Sequence, residues 1–131
     1  MNWWAANSYC KSGGEKIVEI DFEKENTALV EEINRSGYTG KNFWIGLTDW
    51  GTEGTWWLAS GGLKATYEKW HVGEPNGGVN QNCARNRIGP NPDWKDTWSD
   101  INCEDMYHTK NYMHALCEYS QKPEDPSTEG G

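Results

Sequence analysis

The residues Trp70-His71-Val72-Gly73-Glu74-Pro75-Asn76 hold the chain's densest chemistry, and they belong with Gln81, Cys83 and Trp98-Ser99-Asp100-Ile101-Asn102-Cys103. Oxygen-bearing side chains stand on both sides of Pro75, and a second oxygen pair, Ser99 and Asp100, returns close to a cysteine. Carboxylate and amide oxygens gathered in this way suit a hard cation such as calcium. A cation held by glutamate and asparagine, and open on one side, can also bind neighbouring hydroxyls of a sugar.

Such a site needs a frame. Residues 66–81 show no clean periodicity, only Gly, Asn, Pro and charges, which reads as a long loop carrying function. Before it, residues 2–12 read as a helix, with Asn2 as cap and Trp3, Ala6 and Cys10 on one face, ended by Gly13-Gly14. Residues 16–20 are rich in β-branched side chains and predict a short strand. A second helix opens at Asp21, its acids near the positive end of the helix dipole, with Leu29, Val30 and Ile33 as its apolar stripe. Asn34-Arg35-Ser36 near its end is a glycosylation sequon or a chance match to one. Residues 43–49 predict the strongest strand, with 55–59 returning as its partner. Residues 82–87 and 96–101 can pair around a Pro- and Asn-rich turn, and 113–119 predict a single last strand. Residues 120–131 have linker composition and are expected to be disordered, so the folded domain is expected to span 1–119.

At 131 residues the chain fits one domain. Aliphatics are few, but there are nine Trp, six Tyr and two Phe, so the core is expected to rest on aromatic rings. The net charge is −8, and the twelve Lys and Arg are scattered, which argues against a nucleic-acid groove. Four cysteines in a loop-rich chain, with no CxxC pair, predict two disulfides and an extracellular setting, and leave the pairing open. No apolar run approaches a membrane span, and Met1-Asn2-Trp3-Trp4 does not read as a secretory leader.

The order of motifs resembles a C-type lectin domain of the mannose-type calcium-binding group. The residues that carry the resemblance are Trp44-Ile45-Gly46-Leu47-Thr48-Asp49, Thr52-Glu53-Gly54, Glu74-Pro75-Asn76, Trp98-Ser99-Asp100 and the four cysteines. The resemblance implies an α+β fold of two helices flanking two small antiparallel sheets, with a long irregular binding loop. It implies the disulfides Cys10–Cys117 and Cys83–Cys103, and a cis bond before Pro75 that aims Glu74 and Asn76 at one metal. The family's strand before the first helix, which pairs with the last strand, has no counterpart ahead of Asn2; either it was trimmed or the last strand is left with an exposed edge.

Carried over by position, the main calcium ligands would be Glu74, Asn76, Gln81, Ser99 and Asp100. Gln81 stands where the family has glutamate and Ser99 where it most often has asparagine, so fewer negative charges predict weaker calcium binding. Asn80, Asn82, Asp93 and Asp96 lie near enough in sequence to substitute. Asp49 and Glu53 match an auxiliary calcium site; the favoured alternative is that they cap the turn before Gly54. Glu74 and Asn76 can hold calcium with one atom and a sugar hydroxyl with the other. The resemblance implies a preference for equatorial hydroxyl pairs, as in mannose, fucose, glucose or N-acetylglucosamine, on cell-surface glycans. Trp94 and His71 are candidates for stacking on a sugar face, and Trp70 and Trp98 are expected in the core. One shallow site binds weakly, so a homo-oligomer would add avidity.

Two rivals remain. An enzyme such as a glycosidase needs paired carboxylates that Glu74 and Asp100 cannot supply while bound to calcium, and no nucleophile-base set stands out. No catalytic residue is therefore predicted. The other is a member of the same family that has lost sugar binding and recognises a protein, mineral or ice surface.

Overall fold

Asn2 accepts the Ala5 amide proton through its side chain at 2.8 Å, and this cap starts the first helix, α1 (Trp3–Ser12). The structure is a computed structural model. It describes all residues except 39–40, 52, 62, 72, 78–80, 88–96, 109–110 and 120–131, with Arg87, Tyr107, His108 and Asn111 described by backbone only. The proposed tail, 120–131, lies outside the described residues. Trp3, Ala6 and Cys10 are the buried face of α1, as their spacing predicts, and Gly13 ends the helix.

Next come β1 (Glu15–Ile17) and α2 (Glu23–Arg35). The second helix starts two residues later than its acids suggest, and Phe22 at its N-cap makes no side-chain cap bond. Instead Glu25 accepts the Asp21 amide proton, and Glu23 bonds outward to Tyr67 and Lys69. Its inner face is Asn26, Val30 and Ile33, with Leu29 only half-buried. Asn26 was not expected there. It is fully buried because its side-chain oxygen accepts from the Asn86 amide and the Trp98 indole, both at 3.4 Å.

The remaining strands are β2 (Asn42–Thr48), β3 (Trp57–Leu58), β4 (Cys83–Arg87), β5 (Trp98–Ile101), β6 (Tyr107–His108), β7 (Asn111–His114) and β8 (Cys117–Tyr119). Six of them form one sheet in the order β5-β4-β2-β7-β6, with β3 paired to β2; β1 and β8 form the other sheet. All pairings are antiparallel except β2 with β7. The fold is thus α+β, two helices flanking two small sheets. β2 is its spine, buried from Asn42 to Leu47. Gly46 lets β2 press on the segment after β1: a Cβ there would lie 2.9 Å from the Val18 carbonyl oxygen.

One expectation fails at the end of the chain. The predicted strand over 113–119 is two strands. Ala115 and Leu116 break it, where the Leu116 carbonyl accepts from Val18 and the chain passes from one sheet to the other. β1 covers one edge of the last strand, in register Ile17 to Cys117, and the other edge has no partner strand among the described residues.

Aromatic rings dominate the core. Trp44 and Trp98 are essentially fully buried, and the Trp3 indole donates to the Ile45 carbonyl at 3.0 Å. Trp4 meets Trp3 edge-on at 5.1 Å and Trp50 edge-on at 5.3 Å, so a line of indoles runs from the core to the surface. Cys10–Cys117 ties α1 to β8, and Cys83–Cys103 closes the base of β4 and β5.

Candidate functional site

The described residues of 66–81 contain no named helix or strand, yet they are not loosely held. The Trp98 amide donates to the Lys69 carbonyl and the His71 amide donates to the Trp98 carbonyl, both at 2.8 Å, which lays this segment along β5. Beneath it, Trp70 packs between Trp56 (4.7 Å) and Trp98 (6.0 Å), and Tyr67 meets Trp98 edge-on at 5.6 Å. Gly73 turns the chain at φ 87°, and the Glu74 amide closes that turn on the His71 carbonyl. The Glu74–Pro75 bond is cis.

Asp100 organises the loop beyond Pro75. It is 3% exposed, and its two carboxylate oxygens accept the amide protons of Asn76 and Gly77, each at 2.9 Å. Glu74 is hydrogen-bonded to the same carboxylate. Burial first, then that bond, pushes the Glu74 carboxyl up to about 7, while the nearby Arg85 guanidinium pulls it down. A carboxyl that faces another carboxylate at hydrogen-bond distance takes up a proton more readily than a free glutamate does, which is the direction seen for Glu74.

Gln81 fills the space over Gly77 so closely that a Cβ on Gly77 would overlap it. Ser99 is buried on β5, opposite Arg85 in register. His71 is half-buried, with its Nδ1 3.4 Å from the Thr97 hydroxyl. Trp98 is in the core and Trp70 is packed against it, as expected. Trp94, Asn80, Asp93 and Asp96 lie outside the described residues.

Asp49 and Glu53 meet Asp100 and Asn76 in a cavity of about 240 Å³, walled by Trp56 and Pro75. Asp49 Oδ2 accepts the Gly54 amide proton at 2.9 Å, which is the turn-capping role favoured from sequence. Glu53 is bonded to Asp49, and its carboxyl is pushed above the usual range, by desolvation first and then by Asp49 and Asp100.

The fit to a hard cation is mixed. Glu74 Oε2, Gln81 Oε1 and Asp49 Oδ1 are buried oxygens without a hydrogen-bond partner, which is the right donor chemistry. Against this, both Asp100 oxygens are engaged by backbone, and among the described residues no three His, Cys, Asp or Glu side chains form a group able to hold a metal. Sequence reading missed Arg85 and Trp56. Arg85 carried a signal, a charged residue inside a strand that begins at a disulfide cysteine; it is 3% exposed and donates to Asn42 at 2.9 Å.

The fold and this loop define a non-catalytic recognition domain of the lectin type. The chain belongs to the C-type lectin family: the family model for the Lectin C-type domain matches residues 1–119. A perlucin-like protein of Mytilus galloprovincialis is 30% identical over 95 residues, covering 72% of this chain and 61% of that protein. The hepatic lectin of Gallus gallus is 30% identical over 106 residues, covering 79% of this chain and 47% of that protein. A solved calcium-independent type II antifreeze protein shares the fold at TM-score 0.64 and 20% identity, covering 79% of this chain and 71% of its own. This chain therefore spans about half to three fifths of the two curated relatives' length. Family membership and two disulfides place the domain outside the cell. Among the described residues no helix is long and apolar enough to cross a membrane.

Proposed function

We propose that the domain recognises an extended protein or mineral surface through the cis-Pro75 loop and the acidic cavity beside it, where Glu53 is exposed and Asp49 and Asp100 are buried. One observation carries this reading: Asp100 holds the Asn76 and Gly77 amides with both its oxygens, so the loop keeps its shape without a cation. The net charge of −8 favours a surface that bears cations. A shared fold does not fix the ligand, and the calcium-independent antifreeze relative illustrates how far the fold's uses diverge.

A second reading is calcium-dependent binding of mannose-class sugars. The buried, unpartnered oxygens of Glu74 and Gln81 favour it. Glu74, Asn76, Gln81, Ser99 and Asp100 would then hold the ion, which would supply two coordination positions for adjacent sugar hydroxyls. Binding to mannose resin with and without a chelator, and to calcium carbonate particles without one, separates the two. The mineral particles must be tested before chelation and the protein stripped beforehand, because a chelator dissolves the mineral. Retention on mannose that is lost with chelator establishes the second reading and removes the first. Retention on mineral or on a protein surface by calcium-stripped protein, with none on mannose, supports the first.

A further inference from the structure

We propose that Asn34 carries an N-linked glycan whose first sugars lie over an apolar groove at the end of α2. Asn34-Arg35-Ser36 is the only sequon in the 131 residues. The chain is rich in asparagine, so one match by chance is unsurprising; the surroundings of Asn34 carry the case.

The sequon occupies the last turn of α2, with Ser36 as C-cap and Gly37 turning the chain at φ 86°. Asn34, Arg35 and Ser36 are all exposed, so there is room for a bulky group. The helix also sets the glycan apart from the binding loop. Asn26 is the α2 residue that bonds to Trp98 on the site strand, and Asn34 lies eight residues on, about 12 Å along the helix. The transfer joins the Asn34 amide nitrogen to the anomeric carbon of a lipid-pyrophosphate-linked oligosaccharide. The amide nitrogen loses a proton and the lipid pyrophosphate leaves. A disulfide-bonded extracellular domain passes through the compartment where such donors are found.

The groove gives the sugars a place to lie. It is about 360 Å³, and Ile33 and Ser36, on either side of Asn34 and Arg35, are part of its wall. Tyr38, Phe43 and Leu116 continue it, and Tyr38 is 55% exposed. A sugar has a face of C–H bonds that packs on an aromatic ring while its hydroxyls stay in water. A glycan seated here would cover apolar surface that otherwise favours self-association.

The test is secretion of the chain from insect cells behind a cleavable leader, followed by intact-mass measurement before and after peptide N-glycosidase treatment. The expected result is a mass loss of one oligosaccharide in wild type and in Ser36→Thr, and none in Asn34→Gln or Ser36→Ala. An unchanged wild-type mass, while a control glycoprotein from the same cells shifts, overturns the modification. Covering of the groove is read by binding of an apolar fluorescent dye, expected to rise severalfold on enzymatic deglycosylation and to fall back in Tyr38→Ser. Equal dye binding before and after deglycosylation overturns that half of the proposal.

Discussion

Replacing Asp100 with alanine removes the acceptor for two backbone amides at once. Both bonds are 2.9 Å, and the carboxylate is 3% exposed, so water replaces it poorly. A hydrogen bond to a charged group contributes roughly 1.5–3 kcal/mol net. Glu74 competes for the same carboxylate, so the lower end applies to each bond. Their sum is about 3 kcal/mol, a shift on the order of a hundredfold in the loop's opening equilibrium. Amide hydrogen exchange in chelator-containing buffer reads this directly: Asn76 and Gly77 should exchange about a hundredfold faster in Asp100→Ala. Asp100→Asn keeps one acceptor oxygen and should lose about half of the protection on a logarithmic scale. Near-UV circular dichroism checks that the Trp98 and Trp44 core is intact. Wild-type exchange rates at Asn76 and Gly77 in a folded Asp100→Ala protein would overturn this role for Asp100, because the loop would then be held by something else.

Three further outcomes are expected. Glu74 titrates near 7 in cation-free protein against an ordinary value of 4.5, so the folded state binds the extra proton between those values. Its stabilising contribution is present below about pH 4.5 and is lost as pH rises through about 7. Thermal melts from pH 5 to 8 should show this decline, and Glu74→Gln should flatten it; an unchanged slope counts against this proton uptake by Glu74. Gly77→Ala should destabilise the protein by about 1–3 kcal/mol in urea melts, and Gln81→Ala should relieve most of that loss, since the new methyl collides with Gln81. Additive effects of the two changes would contradict the contact. Replacing Cys10 and Cys117 by serine should cost about 4–5 kcal/mol, against about 3 for Cys83 and Cys103, because the first pair is 107 residues apart and the second 20. The reverse order in denaturant melts would show that chain entropy does not govern these crosslinks.

Much of the frame was legible because local signals and packing agree. Asn2 caps a helix whose Trp3, Ala6 and Cys10 spacing matches its buried face, and residues 43–49 coincide closely with β2. The cis bond before Pro75 and both cysteine pairs came from family resemblance rather than from spacing, and the structure has them. The misses have physical causes. Asn26 looks like a surface residue until the Asn86 and Trp98 partners, 60 and 72 residues away, arrive to satisfy it. The break at Ala115 and Leu116 is silent in sequence, since both residues suit a strand; only the need to serve two sheets splits it. In the site, residue types show which side chains bear oxygen, but nothing local says that Asp100 bonds to backbone amides or that Gln81 lies over Gly77. Ligand choice depends on those long-range contacts, which pattern reading cannot reach.

The line of indoles from Trp3 through Trp4 to Trp50 has a spectroscopic consequence. The rings are near-perpendicular and about 5 Å apart, and Trp50 is 58% exposed beside Asp49. Indoles this close exchange excitation readily, so quenching at Trp50 drains emission that begins at buried Trp3. The intrinsic fluorescence of the unlabelled domain is therefore expected to change when a ligand touches exposed Trp50, and Trp50→Phe is the control that removes that change.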